Sequence, residues 1–217
     1  MPTRLVVGIS GSSGALYGIR LLRVLARRPE IETHLVLTNP AKRTILHETE
    51  FTIPEVEALA TCVYDIRDIG AAIASGSFKT VGMVVAPCSV KTLSAIANCY
   101  ADNLLTRAAD VTLKEGRRLV ILLRETPLHL GHLRLMRAVA EAGGVILPPV
   151  PAFYHHPKTI EDLVDHTIGR VLDRFGIEQG LVPEWRGSRP PVPARRHEAA
   201  VADRCAPAGR VVEAERG

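Results

Sequence analysis

Arg4-Leu5-Val6-Val7-Gly8-Ile9-Ser10-Gly11-Ser12-Ser13-Gly14-Ala15-Leu16-Tyr17-Gly18 is the stretch that decides the fold of this 217-residue chain. Leu5, Val6, Val7 and Ile9 form a short apolar run, the pattern of a central parallel strand buried on both faces. Gly11 to Gly14 then lack bulk, and glycine there allows a tight turn and close ligand approach. Ser12 and Ser13 add hydroxyls to that turn. The helix expected to follow, through Leu22 and Leu25, would aim its first N–H groups at the loop and so attract an anion such as phosphate. The glycines fall at Gly8, Gly11, Gly14 and Gly18 without the G-x-G of a dinucleotide fingerprint.

The same design recurs downstream. Gly82 to Ala86 reads as a second buried strand running into Pro87-Cys88-Ser89-Val90-Lys91-Thr92, where Ser89, Lys91 and Thr92 offer donors at a helix start. Arg118 to Leu123 is a further strand, with Arg124-Glu125-Thr126-Pro127 at its end. That Arg and Glu are either an ion pair or an anion binder beside a proton handler. Glu32 to Leu37 is another strand, ending at Thr38-Asn39-Pro40, where a dinucleotide enzyme would carry an acid for the ribose. Thr38 in its place argues against NAD and leaves a mononucleotide open. Strands alternating with helices predict an α/β, Rossmann-like or flavodoxin-like, three-layer sandwich with a mostly parallel sheet. Its ligand crevice would lie outside the strand C-termini.

Other residues read more quietly. Residues 40–49 predict a helix ending near Glu48, which taken alone reads as a solvated acid. Residues 54–60 read as helical and Tyr64 to Asp68 as extended, and Asp102 is the expected N-cap of a helix that Lys114, Arg117 and Arg118 close. Lys114 near that helix's end suits its dipole. Cys88 reads as a small core residue, and His129 and His132 as structural, since no third metal ligand is evident beside them. Pro148 to Tyr154 is a stiff segment expected to place Phe153 and Tyr154 over a pocket. Thr159 is the expected N-cap of a helix to Phe175 that carries Arg170, with Gly176 as its stop.

Composition bounds the rest. Hydrophobic content of 47% supplies a core, yet no apolar run approaches the roughly 18 residues of a membrane span. The chain enters a strand by Leu5, so no signal peptide is expected, and four cysteines without a C-x-x-C suit reduced thiols in a cytoplasmic protein. A dispersed net charge of +4 and only 4% aromatics argue against nucleic-acid binding. Residues 187–217, Arg-, Ala- and Pro-rich, read as a disordered tail behind a domain spanning 1–186.

With these residues assembled, the chain resembles the UbiX-type flavin prenyltransferases over about residues 3–186. The motifs are Gly-Ile-Ser-Gly-x-Ser-Gly-Ala at 8–15, Ala-Ser-Gly-Ser-Phe at 74–78 and Pro-Cys-Ser-x-Lys-Thr-Leu at 87–93. Leu-Leu-Thr-Arg-Ala-Ala-Asp-Val at 104–111, Arg-Glu-Thr-Pro-Leu at 124–128 and Pro-Ala-Phe-Tyr-His at 151–155 complete the set. The resemblance implies transfer of a dimethylallyl group from dimethylallyl phosphate to reduced FMN, at N5 and then C6, without a metal. The product, prenylated FMN, would be the cofactor of UbiD-type decarboxylases in ubiquinone synthesis or aromatic acid decarboxylation. It implies FMN contacts from Gly11, Ser12, Ser13, Thr38, Ser89, Val90, Lys91, Thr92 and Arg124. Tyr154, Arg170, Lys114 and Arg107 match substrate-phosphate positions, and Glu48, Glu125, Lys114, Ser13 and Trp185 active-site ones. It further implies a homo-oligomer, typically a dodecamer, with sites between subunits. Thr38-Asn39-Pro40-Ala41 departs from the family's Ser-Lys-Ala-Ala, keeping the hydroxyl and losing the lysine. Two alternatives stand beside this reading: an FMN-dependent decarboxylase, and a non-catalytic flavin carrier or decarboxylase subunit.

Overall fold

The computed structural model describes residues 3–185 and 187. Six strands, all parallel, form one sheet: β1 (Thr3–Ile9), β2 (Ile31–Leu37), β3 (Cys62–Tyr64), β4 (Gly82–Cys88), β5 (Arg118–Leu123) and β6 (Val145–Ile146). The order β3-β2-β1-β4-β5-β6 reverses direction between β1 and β4, the switch point at which such sheets open a crevice.

Seven helices, α1 (Ala15–Leu25), α2 (Asn39–Glu48), α3 (Ile53–Glu57), α4 (Val90–Ala97), α5 (Leu104–Lys114), α6 (Leu130–Glu141) and α7 (Ile160–Asp173), cover both faces. Successive residues of each strand feed opposite cores. Leu5, Val7, Ile9, Leu35, Val84 and Val120 pack with α1, α2, α3 and α7 on one face. Val6, Val36, Met83, Val85, Leu119 and Ile121 pack with α4, α5 and α6 on the other. That double burial is why the strands are continuous apolar runs rather than alternating ones.

Local chemistry sets the joints. Gly14 caps α1 at φ 98°, a left-handed conformation that side chains rarely adopt. Gly18 lets α1 lie directly on β4, since a Cβ there would meet the Ala86 carbonyl and the Ile9 side chain. Thr159 caps α7 with a full capping box to Asp162, as its position predicts. Asn103, not Asp102, caps α5: its side chain accepts from Thr106 N–H at 3.1 Å, while Asp102 Oδ1 takes the Asn103 amide at 2.7 Å. The expected extended run Tyr64–Asp68 is strand only to Tyr64, because Asp65 accepts from Arg67 N–H and bends the chain.

Cys88 is fully buried, and burial pushes its thiol well above the ordinary value, in keeping with a core role. His129 caps α6, its Nδ1 accepting from Gly131 N–H at 3.0 Å, with the His132 ring 3.6 Å away. The compact unit runs to Pro183 and a second begins at Glu184. Nearly all of the segment read as a disordered tail lies outside the described residues.

Candidate functional site

The C-terminal ends of β1, β2, β4 and β5 meet along one rim. Ser10, fully buried, joins the loops on either side of the switch point. Its Oγ donates to the Pro87 carbonyl at 3.0 Å and accepts from Ser89 N–H at 2.7 Å. Thr38 N–H donates to the Ile9 carbonyl at 3.1 Å, and Arg124 N–H to the Cys88 carbonyl at 3.0 Å. Four loops are thus cross-tied by backbone and one hydroxyl. Reading the sequence alone missed Ser10. Its only signal is a hydroxyl between a buried strand and Gly11, where a serine has nothing else to do.

Beside these ties lies a cavity of about 620 Å³, lined by Gly11, Thr38, Ser89, Lys91 and Thr92. Ile66, Arg67, Ile69 and Asn103 close it from the other side. The size falls in the range of small-molecule and cofactor sites. Thr38 and Ser89 are also N-caps, their hydroxyls accepting from Ala41 N–H at 3.1 Å and Thr92 N–H at 3.3 Å. They therefore fix the starts of α2 and α4 at the cavity wall, where the first-turn amides have no helical partner. Val90, first in α4, packs on the core and contributes position rather than chemistry. Ser12 Oγ is buried without a hydrogen-bond partner among the described residues. Buried hydroxyls are nearly always paired, so this one suits a ligand oxygen. Arg67, paired with Asp65 at 2.7 Å, went unnoticed in the sequence because it sits in a segment without periodicity.

Glu48 departs from its reading as a solvated acid. It is the last residue of α2, and its Oε2 accepts from Gly14 N–H at 2.8 Å and Ala15 N–H at 3.2 Å. The start of α1, expected to await a phosphate, already faces a carboxylate of its own chain. Partial burial would raise the carboxyl's pKa. Hydrogen bonds from Ser13, Gly14 and Ala15 and the charge of Arg124 outweigh that and hold it below the ordinary carboxylate value. Ser13, Glu48 and Arg124, from three separate elements, are thus in one electrostatic cluster. Glu125, next to Arg124, is not paired with it; its carboxylate accepts from Thr126 N–H at 3.0 Å.

Lys114, Arg107, Arg170 and Tyr154 do not line the cavity of their own chain. Lys114 ends α5, beside Glu115 and the Gly76 loop. Asn103 lines the cavity at the head of α5, and an 11-residue helix spans about 16 Å, so Lys114 lies towards the opposite edge of the sheet. Arg107, on the same helix, pairs with Asp110 at 2.7 Å. Arg170 pairs with Asp173 at 3.1 Å on the exposed side of α7. The Tyr154 hydroxyl lies 2.7 Å from His166 Nε2. Phe153 and Tyr154 are exposed and neither lines the cavity, so the segment 148–154 does not place them over it. Trp185 is exposed and belongs to the second unit.

The comparisons with known proteins bear on this arrangement. The family model described as Flavoprotein matches residues 1–172. The chain is 58% identical to the flavin prenyltransferase UbiX of Thauera aromatica over 185 residues, 85% of this chain and 95% of that one. A solved structure of a UbiX protein in complex with FMN and dimethylallyl pyrophosphate superposes with a TM-score of 0.85 at 49% identity, covering 87% of this chain and 100% of that one. A second, from Escherichia coli O157:H7, described as a dodecameric FMN-dependent UbiX-like decarboxylase, gives 0.84 at 49% identity, covering 85% and 100%.

Proposed function

The chain belongs to the flavoprotein family and, within it, to the UbiX flavin prenyltransferases, and from that premise we propose that it joins the dimethylallyl group of dimethylallyl phosphate to reduced FMN, at N5 and then C6, releasing phosphate and prenylated FMN. The observation that carries this reading is the rim itself. One cavity holds the hydroxyls and helix starts suited to a flavin mononucleotide, beside a carboxylate held ionised by Ser13 and the α1 amides.

Gly11, Ser12, Thr38, Ser89, Val90, Lys91 and Thr92 hold the FMN, with Arg124 at its edge. FMN supplies the nucleophilic ring to which the prenyl group is joined. Cleaving an allylic C–O bond builds positive charge on the allyl carbons and negative charge on the phosphate. Glu48 serves the positive side: a carboxylate kept ionised at a fixed place stabilises a developing cation. Its lowered pKa makes it a poor proton acceptor, whereas the released phosphate dianion, more basic than a carboxylate, is better matched to the proton lost on ring closure.

The negative side needs cations and hydrogen-bond donors, and none of Lys114, Arg107, Arg170 and Tyr154 lines the cavity of its own chain. We assign them to the rims of neighbouring copies in a homo-oligomer, a dodecamer as in the Escherichia coli relative. Leu128, Leu130, Leu133, Val150 and Phe153 are exposed in the single chain and suit burial between copies. Glu125 belongs to the same composite site. No helix among the described residues is long and apolar enough to cross a membrane, and we place the enzyme in the cytoplasm. There it would pass its product to a UbiD-type decarboxylase.

Anaerobic incubation with photoreduced FMN and dimethylallyl phosphate tests the reading: equal amounts of phosphate and of a flavin with a shifted absorbance are expected. Dimethylallyl pyrophosphate in parallel separates the two leaving groups, and the monophosphate is expected to react faster. Unchanged flavin, or carbon dioxide from phenolic acids added to the protein alone, would favour the carrier or the decarboxylase instead.

A further inference from the structure

Glu32 and His34 stand two residues apart on β2, and Cys62 pairs with His34 across the β2–β3 ladder. The two-residue period of a strand and that pairing put all three on one face of the sheet. One ligand atom from each, an imidazole nitrogen, a thiol sulfur and a carboxylate oxygen, lie within 4.8 Å of one another. The cluster is separate from the rim. His34 and Thr38 are four residues apart along an extended strand, about 13 Å.

His34 makes the cluster more than a coincidence of side chains. It is 2% exposed, and its Nε2 is buried with no hydrogen-bond partner. Its other nitrogen, Nδ1, lies 2.9 Å from the Tyr64 hydroxyl. With the proton on Nδ1, donated to Tyr64, Nε2 presents a lone pair into the cluster. Glu32 Oε1 stands 3.8 Å from that nitrogen, and Oε2 is held by Arg4 Nε at 2.9 Å. Arg4 is itself anchored over the Phe78 ring, 4.6 Å from its centroid. Buried polar atoms are seldom left unpaired, and an orphaned imidazole nitrogen facing a carboxylate and a thiol is the arrangement a metal ion resolves.

We propose that Glu32, His34 and Cys62 form a divalent-metal site of the zinc class, with Glu32 Oε1, His34 Nε2 and Cys62 Sγ as ligands and solvent in the fourth position. Mixed imidazole, thiolate and carboxylate donors suit zinc, and bonds of about 2.0–2.3 Å to a tetrahedral ion need neighbouring ligand atoms slightly closer than they stand in the metal-free chain. Metal binding displaces the Cys62 thiol proton to solvent. The supporting contacts match those of ligated residues elsewhere: Tyr64 orients the imidazole, and Arg4 hydrogen-bonds the carboxylate oxygen left free of metal. Cys62 and Glu32 are only partly buried, so the ion has a route in from solvent. The consequence is structural: β3 is three residues long and at the sheet edge, and the metal would staple it to β2.

The test uses the full chain, freed of metal by chelation and free of flavin, so its outcome is independent of the prenyl transfer. Cobalt(II) is titrated anaerobically, with zinc added in competition. One cobalt per chain is expected, with the near-ultraviolet sulfur-to-cobalt band and four-coordinate visible bands, displaced by zinc. Zinc should also raise the unfolding midpoint, reversibly with chelator. Cys62→Ser should abolish the sulfur band, Glu32→Gln should weaken binding about 10- to 100-fold, and Cys99→Ser should change neither. Absence of the band in the native chain, its persistence in Cys62→Ser, or its loss in Cys99→Ser overturns the assignment.

Discussion

Glu48 shows how far one side chain's role depends on where a helix ends. In the sequence it is an acid near the end of a predicted helix, indistinguishable from a surface residue. In the fold it caps the neighbouring helix and stays ionised. Glu48→Gln keeps an oxygen for the α1 amides but removes the charge. Turnover is expected to fall about 100-fold while the dissociation constant for FMN changes less than about threefold, read by single-turnover kinetics and flavin fluorescence. Equal losses in both would make Glu48 a binding residue. Because its folded pKa lies below 4.5, its contribution to stability is complete above that value and lost as pH falls through the folded value. Stability curves of the native chain and the Glu48→Gln variant should therefore converge as pH falls below the folded value, and differ near neutrality. Ser13, Ser89 and Arg124 were legible because small residues, hydroxyls and a cation followed apolar runs. Ser10 was not, since its partners are distant in sequence, and Arg67 was not, since its segment has no period to read.

At the scale of elements, the sequence announces what is buried on both faces. β1, β4 and β5 stand out as apolar runs, and the observed β5 has the predicted bounds. β3 and β6, three and two residues long, carry no period to read; pairing with β2 and β5 defines them. The α5 cap moved by one residue because Asp102 and Asn103 are chemically equivalent candidates, and only the geometry chooses. The contact of α1 with β4 depends on Gly18, where a methyl group would meet the Ala86 carbonyl and Ile9. Gly18→Ala is expected to destabilise the chain by about 1–3 kcal/mol, measured by urea unfolding, despite alanine's better helix propensity. A stabilised variant would mean that α1 can lift from the sheet without cost. The same displacement would move Gly14 away from Glu48, so the variant should also lose activity.

The whole molecule is where the sequence is least legible, because an assembly is set by surfaces that one chain's periodicity does not encode. Lys114 ends α5 and Glu48 ends α2, yet the family resemblance implies an active-site role for each. If Lys114 serves a neighbour's rim, two inactive variants should complement each other. Co-assembly of Glu48→Gln with Lys114→Ala chains in equal amounts is expected to restore about a quarter of native activity, since that share of sites draws an intact residue from each. No recovery in mixed oligomers, verified by tagged subunits, would place both residues in the site of a single chain.

The most direct measurement is a crystal structure of the assembled protein with FMN and dimethylallyl phosphate bound. The account predicts the flavin in the cavity of Gly11, Thr38, Ser89 and Thr92, with the alkene between its ring and Glu48. The second phosphate would be gripped by Lys114, Tyr154 and Arg170 from adjoining subunits. A flavin bound away from that rim, or a prenyl phosphate with none of those three side chains against it, would contradict the account.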